Sequence, residues 1–181
     1  MVKKQTKSGL NLPFAEVAET YNTREQALRQ FFNSSNPTYL AMVAGTAVGA
    51  PLPSLQIALL EADRDACLTL LAAVEAAFRL DYALRCEQRD KLPISRSFRA
   101  LFQQYEYHIP LEDVLLEEWK TYQPGARSVI SELKSAFKFR HWLAHGRYWT
   151  PKLALNVHRL NFYDLYSLTT LLESFGLLSP V

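Results

Sequence analysis

The chain is short of the features that mark several protein classes. No run of about eighteen apolar residues occurs, so no membrane span is expected. Strand-like alternation of apolar and polar residues is almost absent, which argues against a sheet. There is no internal repeat and no low-complexity tract. The N-terminus is basic but lacks a following apolar segment, so it reads as a tail rather than a signal peptide, and a cytoplasmic address is expected. Cysteine is scarce: only Cys67 and Cys86 are present. Both fall in one long helical pattern. Nineteen residues of helix part them by roughly 28 Å, far beyond disulfide reach, so they read as buried thiols.

Acidic residues are scarce in one region. Residues 61–119 carry twelve acids against seven Lys and Arg, whereas residues 120–181 carry three acids against eight. The net charge is only +2, but the C-terminal third is basic. An anionic partner fits that asymmetry; so does a merely solvated basic face. A hydrophobic fraction of 49% with 21% charged residues is enough for a normal core in a chain of 181 residues, which fits one domain.

Helical periodicity fills most of the chain. A first helix is expected over residues 14–32, with Phe14, Val17, Ala18, Tyr21, Leu28, Phe31 and Phe32 as core contacts. The small apolar stretch 39–50 fits a helix, a strand or a covering loop. The longest helix is expected from Asp63 to about Lys91, with Pro93 stopping it. On it, Glu75/Arg79 and Asp81/Arg85 form i,i+4 pairs, worth a few tenths of a kcal/mol each if exposed. Further helices are expected over 95–107, 111–122, 126–145 and 161–175. The expected class is all-α, an antiparallel helical bundle. Residues 1–55 read as an N-terminal tail and helical extension, and 56–181 as the bundle proper, compact as a whole.

One stretch concentrates chemistry. Phe139 to Trp149 reads FRHWLAHGRYW, with two histidines, two tryptophans and two arginines in succession. On an ideal helix, Leu133, Ala136, Phe137, Leu143 and Ala144 share one broad stripe. Lys134, Lys138, His141 and His145 share another, within about 60° of arc. Arg140 falls inside the apolar stripe. A buried arginine must be paired or look into a cleft, because an unpaired buried charge costs several kcal/mol. An ion pair with Glu75 is the structural option; a cleft facing a ligand or a second protomer is the functional one. His145 stands at the expected helix end, where Gly146 takes the C′ position and the dipole favours a cationic side chain. A histidine for protons and an arginine fork for phosphate oxygens are the parts of a phosphodiesterase. Metal binding is the rival. His141 and His145 are spaced i,i+4, but Trp142 stands where an HExxH helix has its glutamate. His108 and His158 have no Cys or acid cluster beside them, and no metal is assigned.

Arg140-His141-x3-His145, closed by Gly146, resembles the R-x4-6-H motif of the HEPN superfamily. The neighbourhood LKSAFKFRHWLAHGRYW is most similar to its branch of ribosome-associated and stress-triggered ribonucleases (RiboL-PSP-HEPN). The resemblance covers about residues 60–175. It implies a homodimeric helical bundle with the active cleft at the two-fold interface, and a metal-independent endoribonuclease without a cofactor. Cleavage would proceed by 2′-hydroxyl attack on the adjacent phosphate. It further implies a toxin, beside an antitoxin partner, or a component of anti-phage defence. By position, His145 is the proton-transfer group, Arg140 the phosphate-binding cation and His141 the assisting polar residue. Glu75 stands where some branches carry a supporting acid. Lys134, Lys138, Arg147, Tyr148 and Trp149 are the expected RNA contacts. A catalytically silent RNA- or partner-binding module is the alternative.

Overall fold

The structure is a computed structural model that describes residues 9, 11–47, 49–52, 54–88, 90–147 and 160–178. Among these residues there are helices and no strands. They run as α1 (Phe14–Phe31), α2 (Pro37–Ala44), α3 (Leu55–Glu87), α4 (Pro93–Tyr105), α5 (Leu116–Tyr122), α6 (Arg127–Ala144) and α7 (Phe162–Ser174). The all-α architecture expected from periodicity is therefore present.

Helix α3 is the spine. Its 33 residues span about 50 Å, and it packs against α1, α4, α6 and α7. It can do so because its buried residues occupy more than one side: Cys67, Leu70, Leu71, Val74, Phe78 and Tyr82 form one stripe at i,i+3 and i,i+4, within about 120° of arc, and buried alanines lie off it. Burial of side chains such as Leu70 and Phe78, which expose none of their surface, stabilises by about 1.5–3 kcal/mol each. Ala62, Ala66, Ala73 and Ala83 are buried on its other sides, where their small side chains let neighbouring helices approach closely. Cys67 and Cys86 are both buried and free. Burial pushes the Cys86 thiol up to about 11 and raises that of Cys67 further.

The N-terminal segment is tied to the bundle more closely than a mere extension. Val17 and Tyr21 of α1 enter the core, and the Tyr21 ring lies 4.5 Å from that of Phe162 on α7. The Asp63 carboxylate accepts from the Phe162 backbone N–H at 2.9 Å, joining α3 to α7. Arg24 pairs with Asp65 at 2.9 Å. Phe31 and Phe32 do not reach the core. They pack instead against Tyr39 of α2, a helix that buries no residue.

Several boundaries differ from expectation. Helix α3 begins at Leu55, well before Asp63, and Leu60 on its first turns is exposed. The helix expected over 111–122 is not uniform. Leu111–Leu115 is a π turn, in which Leu115 N–H donates to the Pro110 carbonyl at 3.1 Å. The wider turn brings consecutive residues Leu115 and Leu116 fully into the core. The Asp81/Arg85 pair is not a surface pair: Asp81 is buried, and both its oxygens accept from Arg85 Nε at 2.8 and 2.9 Å. The Arg85 guanidinium also lies 5.2 Å over the Trp119 ring.

Asp81→Ala leaves Arg85 without its carboxylate partner in a site where 13% of that side chain is exposed. It is expected to cost about 3 kcal/mol, read as a lower urea midpoint with unchanged slope.

Candidate active site at the end of α6

Helix α6 starts from the 3-10 turn Pro124–Ala126 and buries Ile130, Leu133, Ala136, Phe137 and Phe139. The core then runs out. Trp142 and Leu143 are half-buried, and Ala144 is exposed, contrary to the full-length stripe expected from helical angles. The last turn extends past the core, so the angle alone no longer decides burial. Arg140 stands at this margin with 35% of its side chain exposed.

Its partner is the carboxylate of α3. Arg140 Nη1 lies 3.1 Å from Glu75 Oε2. The other oxygen, Oε1, accepts from Arg79 Nε at 2.9 Å, and Arg79 Nη1 donates to the Ile109 carbonyl at 3.2 Å. One carboxylate thus receives two guanidiniums, and Arg79 fixes it from behind. The inner nitrogen of Arg140, Nε, is buried and has no hydrogen-bond partner among the described residues. Arg140 therefore turns its apolar stem and Nε inward and its terminal nitrogens toward the margin.

The end of α6 is built by Gly146. The Gly146 N–H donates to the Leu143 carbonyl at 3.5 Å, and the Arg147 N–H reaches the Trp142 carbonyl at 3.2 Å. This nested pair of bonds is the Schellman closure, and it requires the left-handed backbone that Gly146 adopts at φ +78°. His141 and His145 are both exposed, and their rings lie 4.2 Å apart on the solvent side. Trp142 turns the other way, stacked on Phe139 at 5.8 Å, with the Arg64 guanidinium 6.0 Å from its ring.

The remaining candidates divide. Lys138 is exposed. Lys134 is engaged, 2.7 Å from Glu117, which Lys120 also approaches at 3.0 Å. Those two lysines hold the Glu117 carboxyl below its ordinary range. Arg147 is engaged as well, with Nη1 2.7 and 2.9 Å from the two oxygens of Glu61 on α3. That bond, joined by Arg64 at 2.6 Å, holds the Glu61 carboxyl low. Tyr148, Trp149 and His158 lie outside the described residues. His108 is exposed, and among the described residues no three His, Cys, Asp or Glu side chains are grouped to hold a metal ion.

Two residues beside the site were not expected from the sequence, Glu61 and Glu112, and Arg79 was expected only as the i,i+4 partner of Glu75. Partial burial raises the Glu112 carboxyl, with Asp113 adding repulsion, and it feels Lys134, Lys138 and Glu75. The Glu75/Arg79 spacing signalled Arg79; nothing local signals the other two.

Comparison with protein-family models, curated proteins and solved structures gave no match.

A Cβ added at Gly146 would meet nothing within 4 Å among the described residues, so the left-handed backbone is what opposes substitution. Gly146→Ala is expected to lower stability by about 1 kcal/mol, read by urea unfolding.

Proposed function

We propose that the protein is a metal-independent endoribonuclease of the HEPN kind, acting as a dimer. The observation that carries the reading is the placement of Arg140. It is held half-exposed by Glu75 on the helix whose solvent end carries His141 and His145. Such an arginine presents permanent positive charge at the core's margin, where charge developing on a phosphorus can be balanced.

Arg140 and His145 are five residues apart, so they point about 140° apart around α6. One copy of the helix end does not bring both onto one face. A second copy, apposed through the same surface, supplies the complementary residue, which supports a two-fold cleft. In that cleft His145 takes the proton from the ribose 2′-hydroxyl. The 2′-oxygen attacks phosphorus, the 5′-oxygen leaves, and it receives a proton from an imidazolium. Arg140 steadies the phosphorane, and His141, beside His145, positions its ring. Lys138, and Lys134 when released from Glu117, track the backbone. The cellular role is that of a cytoplasmic toxin with an antitoxin partner, or of an anti-phage or stress nuclease.

The second reading is a silent RNA- or partner-binding module. The pairing of Arg140 Nη1 with Glu75 favours it, because a guanidinium partly neutralised by a carboxylate contributes less to phosphate binding.

The deciding assay incubates RNA with the protein in the presence of chelator, comparing wild type with His145→Ala of matched fold. The proposal expects cleavage by wild type alone, leaving 2′,3′-cyclic phosphate ends, and a drop of at least about 100-fold in the variant. Binding without cleavage by wild type selects the silent module. Equal cleavage by both removes His145 from the mechanism.

A further inference from the structure

Glu61 and Glu75 lie fourteen residues apart on α3, so they share one face, about 21 Å from each other. Glu75 receives an arginine of α6, and Glu61 one from the turn that closes it. Glu75 takes Arg140 at 3.1 Å, and Glu61 takes Arg147 at 2.7 and 2.9 Å. The two arginines flank His141 and His145 in the chain. The helix end that carries both histidines is therefore fixed to α3 on either side of them.

The second tether has features of its own. Arg147 adopts a left-handed backbone at φ +59°, which a non-glycine residue rarely holds without support. Its N–H closes the Schellman turn on Trp142, while its side chain reaches Glu61, 86 residues away. Glu61 is shared with Arg64, and Arg64 lies over the Trp142 ring. The backbone and side-chain contacts of Arg147 thus converge on the turn that His145 caps. Apart from these contacts, that turn extends beyond the core.

We infer that Glu61 is a positioning residue: through its bond to Arg147 it fixes the α6 terminus and so the direction of the His145 imidazole. The inference rests on the ribonuclease reading for its catalytic consequence. It assigns Arg147 an internal role in place of the expected RNA contact, because its Nη1 is bonded to both oxygens of Glu61.

The test is a double-mutant cycle of Glu61→Gln, Arg147→Gln and the double variant. Cleavage of an end-labelled random-sequence RNA oligomer gives kcat and KM, and amide hydrogen exchange gives the state of the turn. Each single variant is expected to lower kcat on the order of 10-fold while leaving KM within about two-fold, and the double to be no worse than either. Exchange should quicken at the Gly146 and Arg147 amides and stay slow at Phe139. A raised KM for Arg147→Gln, with Glu61→Gln behaving as wild type, would make Arg147 an RNA contact and overturn the inference. Should wild type leave the oligomer intact, the ribonuclease reading fails separately, and exchange alone decides. Unchanged exchange at Gly146 and Arg147 in Glu61→Gln then rejects the tether.

Discussion

Glu75 is paired with two arginines at once, and the position of the Arg140 guanidinium at the end of α6 depends on it. A carboxylate on the spine helix is fixed from behind by Arg79, itself anchored to the Ile109 carbonyl, and meets Arg140 of α6 on the other side. With Glu75 21% exposed and Arg140 35%, the pair is neither a solvated surface bridge nor a fully buried one. In that intermediate setting desolvation is modest and the geometry is still held by packing. An arginine alone at the same margin would carry uncompensated charge against an apolar stripe. The carboxylate makes that position tolerable and also fixes where the guanidinium stands.

The same helix serves the core and the site. The buried residues of α3 lock α1, α4, α6 and α7 around it, and its acidic face carries Glu61 and Glu75 toward α6. A rigid support of this kind suits a constellation whose side chains must keep their directions. The histidines themselves sit beyond the core, exposed and in contact with each other. Their order comes from the Schellman turn at Gly146 and from the arginines on either side, not from burial.

Much of the fold was legible because α-helical periodicity and its punctuation agree. Pro93, Pro110 and Gly146 each stand at an element boundary, as their backbone chemistry requires. The start of α3 was misplaced because Leu55, Ile57, Leu59 and Leu60 show no single apolar face, and Ile57 and Leu60 are in fact exposed. The burial of Ala144 was overestimated because helical angle carries no information about where along the axis a core ends. The π turn at Leu111–Leu115 left no signal in the apolar spacing that distinguishes it from an ordinary helix start. Within the site, Arg140 announced itself as a charge inside an apolar stripe, and Glu75 lay on the right helix. The Glu61–Arg147 bond joins residues 86 apart and has no local trace. Only the packing of α6 along α3 reveals it.

The central claim is that Glu75 and Arg140 act as one unit. It is tested most directly by the coupling energy between them, from urea unfolding of wild type, Glu75→Gln, Arg140→Gln and the double variant. A coupling of about 1–3 kcal/mol, with the double variant less destabilised than the sum of the singles, is the predicted result. Additive effects, with no coupling beyond about 0.3 kcal/mol, would contradict it and leave Arg140 as an independent group at the edge of the core.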